Sequence, residues 1–194
     1  MRALQIIFFT LAVIAGFGFG AYKWQSDLGA VGGEFTLHSK QGLFKLSDFQ
    51  GKVVILYFGY RYCPDVCPTT LSSLAAMKNA LPQEEQNLVK VIFVSVDPKR
   101  DSLEILDEYV KFFDKDFLAL TGNEKEVALV AKQYGITYKV NSPSNPREPE
   151  NYTVDHTTQA LIIGKDGLLK DTIEHNEPIQ MGTTKLRIYI KENI

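Results

Sequence analysis

Short apolar runs alternate along the chain with longer segments in which apolar residues recur every three or four positions. Such runs are typical of buried strands, and the longer pattern is typical of helices with one buried face. The pattern predicts strands at 53–58, 88–96, 117–121, 136–140 and 159–164, and helices at 67–81, 103–113, 124–134 and 183–191. It also predicts an opening hairpin that pairs 34–39 with 42–46, and a closing hairpin that joins 159–164 to 168–173.

The order of these elements indicates the fold class. Strands and helices alternate at first, and the chain ends in a hairpin and a helix, which fits an α/β protein whose mixed sheet is flanked by helices on both faces. The only two cysteines fall on the turn between the strand at 53–58 and its helix. We therefore expect a thioredoxin-like fold, to which the opening hairpin and the inserted helix at 124–134 are additions.

Cys63 and Cys67 are separated by three residues on this strand-to-helix turn. Backbone N–H groups at the start of a helix carry partial positive charge, which favours the thiolate over the thiol. Thiolates attack disulfides and bind soft metal ions such as Cu(I). The pair is therefore predicted to be redox-active or metal-binding, since a static disulfide across so short a loop would add little stability.

Stable capture of a metal ion requires a third ligand, and the chain has three histidines. His156 precedes the strand at 159–164, and in a thioredoxin-like sheet the loop entering this hairpin faces the cysteine turn. We expect His156 to be the candidate ligand, with Asp155 orienting its ring. His38 and His175 are expected to be a surface strand residue and a loop residue without a ligand role.

Three further features lie near the cysteine turn or in the adjoining core. Tyr60 and Tyr62 are expected to wall the site, and Met77 has the spacing of a core residue. The charged turn at 97–101 follows a strand at the same sheet edge as the cysteines. It is expected to lead into a helix capped by Ser102, and docking of a partner is its alternative role.

Residues 3–22 carry no charge, and a membrane-spanning helix needs about 20 residues. We expect residues 1–23 to be an uncleaved membrane anchor; a cleaved signal peptide is the alternative. Residues 24–33, which contain three glycines, are then a flexible tether to a single domain at 34–194. The expected location is a bacterial inner membrane, with the domain facing the periplasm.

Charge argues against one class of partner. The chain has 21 Lys and Arg residues against 23 Asp and Glu residues, a net charge of −2, and no basic stripe. We therefore expect no binding to nucleic acid.

Three motifs, taken together and in this order, resemble the Sco/SenC family of membrane-anchored copper-handling proteins. They are the cysteine motif at 63–68 after the strand-like 52–60, the segment 93–101 with its Asp97-Pro98 turn, and Asp155-His156. The resemblance runs from residue 33 to residue 167, over nearly the whole expected domain. It implies that Cys63, Cys67 and His156 are ligands of copper, as Cu(I), Cu(II) or both.

The family delivers copper to the binuclear CuA site of cytochrome c oxidase or keeps the cysteines of that site reduced. The resemblance therefore implies a copper chaperone whose partners are the CuA-bearing subunit and other copper-handling proteins. A thiol–disulfide reductase that uses Cys63 and Cys67 as its redox pair, without His156, is the alternative. A peroxidase supported by Arg61 and Thr69 is a third interpretation, which fits the paired cysteines less well. Enzymatic activity is thus left open.

Overall fold

The structure, a computed structural model, describes residues 31–143, 145 and 147–192. The expected anchor at 1–23 and most of the expected tether at 24–33 lie outside the described residues. Among the residues that are described, no helix combines the length and the apolarity needed to cross a membrane.

The described elements follow the predicted order. They are β1 (Thr36–Ser39), β2 (Gly42–Lys45), a 3₁₀ turn (Leu46–Phe49), β3 (Val53–Gly59), α1 (Val66–Asn79), α2 (Gln83–Gln86), β4 (Val89–Ser95), α3 (Leu103–Lys111), β5 (Leu118–Leu120), α4 (Glu124–Gln133), β6 (Tyr138–Val140), β7 (Val154–His156), β8 (Ala160–Ile163), β9 (Leu169–Ile173) and α5 (Ile179–Lys191).

Three differences from the predicted elements have local causes. The short helix α2 follows Pro82, whose fixed φ suits a helix start. Helix α5 begins at Ile179 rather than at residue 183, because Pro178 occupies its N-cap position and Gly182 is accommodated within the helix. Strand β7 is not among the predicted strands; it pairs antiparallel with β6 in a separate two-stranded sheet.

The central sheet has five strands in the order β5-β4-β3-β8-β9. Strands β3, β4 and β5 run parallel, whereas β8 is antiparallel to both β3 and β9. This confirms the predicted mixed sheet. Strands β1 and β2 form the predicted opening hairpin beside it.

Strand β3 is buried along its whole length, and its side chains alternate between two core clusters. Val53, Ile55 and Tyr57 pack on one face with residues of α1 and α5. The side chains between them pack on the other face with α4 and the opening hairpin. Both faces of the sheet are therefore covered, as a strand without polar positions requires.

Parallel pairing brings the ends of β3 and β4 to one edge of the sheet. The Val96 N–H donates a hydrogen bond to the Gly59 carbonyl (2.8 Å), so the loops after the two strands start side by side. The loop after β3 carries the cysteines. The loop after β4 leads into α3, where the Ser102 side chain accepts a hydrogen bond from Ile105 N–H and confirms the predicted cap.

Docking of α5 on the sheet is expected to be a main source of stability. Leu186 is fully buried in the cluster beneath β3, whereas Ile188 on the same helix is 58% exposed. Leu186→Ala should lower the free energy of unfolding by about 2–5 kcal/mol, because it leaves a cavity. The matched Ile188→Ala should change it by less than about 0.5 kcal/mol. Urea denaturation of both variants checks this, and equal effects would contradict the packing described.

Candidate metal centre

The cysteine turn is closed by its own backbone. The Cys63 N–H donates to the Tyr60 carbonyl (3.2 Å), and the N–H of Cys67, in the first turn of α1, donates to Cys63 Sγ (3.4 Å). Both thiols are free; Cys63 is half-buried and Cys67 is fully buried. The start of α1 thus directs an N–H group at a cysteine sulfur, as predicted.

Gly59 makes room for the buried sulfur. A Cβ atom at this position would lie 2.6 Å from Cys67 Sγ and 2.8 Å from an atom of the Phe93 ring. Any larger residue would displace one of the two, so Gly59 shapes the site. A glycine within a strand often marks a place where another group approaches the backbone closely. This signal is present in the sequence, but the role of Gly59 is not among the predictions.

The third group of the site, His156, comes from β7. Its Nε2 lies 3.5 Å from Cys67 Sγ, and the two sulfurs and a ring nitrogen all lie within 4.8 Å of one another. The Nδ1 atom lies 2.8 Å from the Thr157 carbonyl oxygen. Because a carbonyl only accepts hydrogen bonds, Nδ1 carries the proton and the lone pair of Nε2 faces the sulfurs.

The expectation that Asp155 orients the His156 ring is wrong. Adjacent residues of a strand point to opposite faces, and the Asp155 side chain is accordingly exposed on β7 while His156 turns inward. The Thr157 carbonyl takes the orienting role instead.

Aromatic rings enclose the inner side of the site. The Tyr60 and Tyr57 rings stand edge-on to the His156 ring, with centroids 5.9 Å and 6.4 Å away, and the Tyr57 hydroxyl donates to Cys67 Sγ (3.6 Å). Tyr60 is thus a wall of the site, as predicted. Tyr62 is 54% exposed, and its ring lies against the guanidinium groups of Arg61 and Arg100.

The two thiols differ in their affinity for a proton. The hydrogen bond from Cys67 lowers the pKa of Cys63 well below its usual range, against the opposing effect of burial. The same interaction, together with burial, raises the pKa of Cys67. The predicted thiolate therefore forms at Cys63, whereas Cys67 keeps its proton because a second charge beside the first is unfavourable.

Three other residues considered in the sequence lie apart from this group in the described part of the chain. His38 is exposed on β1, and His175 lies with its Nδ1 3.0 Å from the Thr70 hydroxyl. Met77 is 1% exposed in the core.

Two sulfurs and one imidazole nitrogen form a donor set that fits a soft or borderline ion such as copper or zinc. Fold and site together define a thioredoxin-like protein with a Cys-Cys-His centre at the end of its first parallel strand. Comparison with protein-family models matches residues 24–191 to SCO1/SenC. The chain therefore belongs to the SCO1/SenC family.

Curated relatives are consistent with this membership. The SCO2-like protein of Rickettsia prowazekii is 35% identical over 150 residues, which cover 76% of this chain and 71% of that protein. The mitochondrial SCO2 of Saccharomyces cerevisiae is 32% identical over 163 residues, covering 84% of this chain. The chain spans only 54% of the length of the yeast protein.

Solved structures of relatives share the fold. ScoI of Bradyrhizobium japonicum with copper bound has a TM-score of 0.74 and 30% identity, with 82% of this chain and 99% of that chain covered. Yeast Sco1 with copper bound has a TM-score of 0.75 and 31% identity, with 85% and 91% covered. Apo Sco1 of Thermus thermophilus has a TM-score of 0.74 and 39% identity, with 83% and 92% covered.

The unequal thiols predict selective chemistry in the reduced, metal-free protein. Iodoacetamide should label Cys63 first, at a rate nearly constant from about pH 5 to about pH 8, because its thiolate persists throughout that range. Cys67, buried and protonated, should stay unlabelled until the protein unfolds. Mass spectrometry of the digested protein measures both rates. Denatured protein is the control, in which both rates should rise with pH; the same rise for Cys63 in the folded protein would contradict the assignment.

Proposed function

We propose that this protein is a copper-binding assembly factor of cytochrome c oxidase, in which Cys63, Cys67 and His156 hold one copper ion as cargo. The observation that carries the proposal is the convergence of two sulfurs and an imidazole nitrogen within 4.8 Å. Copper is favoured over zinc because relatives of the same fold, at 30% and 31% identity, have been solved with copper bound.

The donor set suits both capture and release of copper. Cysteine sulfurs favour Cu(I), imidazole accommodates either oxidation state, and a three-ligand site leaves room for an incoming ligand. Cys63 and His156 are half-buried, so an incoming thiol reaches the ion from their side, while the fully buried Cys67 remains the inner ligand. Transfer would then proceed by exchange of ligands, one at a time, with the thiols of a partner.

The proposal extends to the surroundings of the site. The partner would be the CuA-bearing subunit of cytochrome c oxidase, with other copper-handling proteins as donors. Residues 1–23, with their uncharged run at 3–22, would anchor the chain in a bacterial inner membrane. Residues 24–33 would serve as a tether, and residues 34–194 would form the copper-binding domain in the periplasm.

A second function, thiol–disulfide reduction, is supported by the inequality of the two cysteines. The accessible Cys63 thiolate would attack a partner disulfide, forming a mixed disulfide and releasing one partner thiolate. The Cys67 sulfur, after losing its proton, would attack Cys63 Sγ and release the second. Two electrons pass from the dithiol to the partner, and Cys63 and Cys67 end as a disulfide.

Copper binding should depend on all three groups. Titration of the reduced protein against a chromophoric Cu(I) chelator is expected to show one ion per chain. His156→Ala should weaken binding by about tenfold or more, since it removes a ligand. The exposed His38→Ala is the matched control and should bind as the parent does. Undiminished affinity of the His156→Ala variant would refute the three-ligand site.

The reductase function should depend on the cysteines alone. Cys67→Ser removes the resolving thiol, so a mixed disulfide between Cys63 and a disulfide-bearing CuA domain should accumulate and be visible on non-reducing gels. Adding His156→Ala should leave its yield unchanged, and Cys63→Ser should abolish it. Absence of the adduct at every ratio tested would count against this function.

A further inference from the structure

The third ligand of the site belongs to a different sheet from the cysteine turn. His156 lies on β7, whose described strand partner is β6, while the cysteines follow β3 of the central sheet. A two-stranded sheet is marginal in isolation, so its strands alone do not fix where His156 stands. Contacts from elsewhere must set the distance between its ring and the sulfurs.

Arg100, in the loop after β4, supplies such contacts. One of its terminal nitrogens donates to the backbone carbonyls of Glu150 (2.9 Å) and Tyr152 (2.8 Å), in the segment that leads into β7. Its guanidinium carbon lies 3.5 Å from the centroid of the Tyr152 ring. Arg100 therefore holds both the backbone and a side chain of the segment before His156.

Asp97 completes this arrangement. Its carboxylate accepts a hydrogen bond from Arg100 Nε and another from the Tyr152 hydroxyl (2.7 Å). The Arg100 and Asp97 side chains are only 7% and 3% exposed. Asp97, Arg100 and Tyr152 thus form one buried cluster, which we call the brace.

The loop that carries the brace also holds the cysteine turn. The Asp101 carboxylate accepts hydrogen bonds from the Arg61 N–H (3.0 Å) and from the Ser95 hydroxyl. Arg61 lies between the end of β3 and Cys63. One loop therefore contacts the chain on both sides of the candidate centre.

Stability alone is a weak reason for such a cluster. Burying an ion pair costs desolvation that apolar side chains would avoid. Arg100 Nη2 is moreover buried without a hydrogen-bond partner among the described residues. The cluster costs stability, yet its loop contacts the chain on both sides of the site. We therefore attribute the cluster to the relative placement of the cysteine turn and the His156 segment.

We infer that Arg100 is a positioning residue, which acts through the brace to set the distance between His156 and the cysteine pair. This inference rests on the proposed function, because it is this distance that allows copper three ligands rather than two. Loss of the brace would leave the dithiol intact and remove the contribution of the histidine.

A double-mutant cycle in the full chain tests the inference. Arg100→Met should weaken Cu(I) binding by about tenfold or more. In the His156→Ala background the same change should cost less than about twofold, because Arg100 then has no imidazole left to position. Equal losses in the two backgrounds, or no loss in either, would overturn the inference. The labelling rate of Cys63 should be unaffected by Arg100→Met.

Lys99→Met is the matched control. Lys99 precedes Arg100 and pairs with Glu150 (3.3 Å), but the side chains of this ion pair are 58% and 62% exposed. Its ammonium also lies 5.8 Å from the centroid of the Tyr152 ring, but it takes no part in the hydrogen bonds of the brace. Its removal takes away a charge at the same loop and leaves those bonds in place, so copper affinity should stay within about twofold of the parent. A loss as large as that of Arg100→Met would assign the effect to charge and overturn the inference.

A metal-free measurement separates this inference from the proposed function. The His156 ring lies edge-on to the Tyr60 ring. The ring current of Tyr60 therefore shifts the proton resonances of His156. In the NMR spectrum of the apo protein, Arg100→Met should move the His156 signals toward random-coil positions and leave those of His38 and His175 unchanged. Unmoved His156 signals would overturn the inference, whatever the copper titrations show.

A milder variant guards against loss of the fold. Tyr152→Phe removes only the hydroxyl bonded to Asp97 and keeps the ring under Arg100. It should shift the His156 signals in the same direction by a smaller amount, with native circular dichroism. A natively folded Tyr152→Phe protein whose His156 signals do not move would count against the brace.

Discussion

The parallel pairing of β3 with β4 is the interaction on which the site depends. Its register aligns Val53 with Val89 at one end and Gly59 with Ser95 at the other, so both strands stop at the same level. One loop leaving this edge carries the cysteines, and the other carries the residues that hold the segment before His156. A shift of this register would separate the cysteine turn from the loop that supports it, even if every side chain were retained.

The centre combines one protected sulfur with two accessible groups. Cys67 is fully buried, with Gly59 and the Tyr57 hydroxyl close to its sulfur, whereas Cys63 and His156 are half-buried. This asymmetry suits copper exchange, in which the outer ligands are replaced first, and it equally suits disulfide exchange, in which the outer thiolate attacks. Both proposed activities would use the reduced pair, because an oxidised pair offers thiolates neither to copper nor to a partner disulfide. Copper binding and disulfide exchange would therefore compete for the same reduced cysteines.

Sequence patterns predicted the parts of this structure that depend on local order. The apolar run of β3 and the cysteine spacing located the turn, and the Asp155-His156 motif located the third group of the candidate centre. Three features of the site were not predicted, and two of them depend on groups that are neighbours only in the folded chain. The pKa of Cys67 is raised by Cys63 and by burial. Gly59 matters because Cys67 Sγ lies close to it. Asp155 is exposed because β7 is a strand in which neighbouring side chains alternate. Residue spacing does not identify the groups that lie against Cys67 and Gly59, although a glycine within a strand does indicate a close approach.

The placement of His156 outside the central sheet has a mechanical consequence. A ligand on a central strand would have its position fixed by hydrogen bonds on both sides, whereas β7 receives such bonds from β6 alone among the described strands. Arg100 adds its hydrogen bonds to backbone carbonyls, so the support does not depend on which side chain occupies position 150. The same loop bonds to the backbone at Arg61, so the cysteine turn and the histidine segment are both held by one loop. On this inference, the distance between the sulfurs and the imidazole is set by the loop after β4 rather than by the two segments that carry these groups.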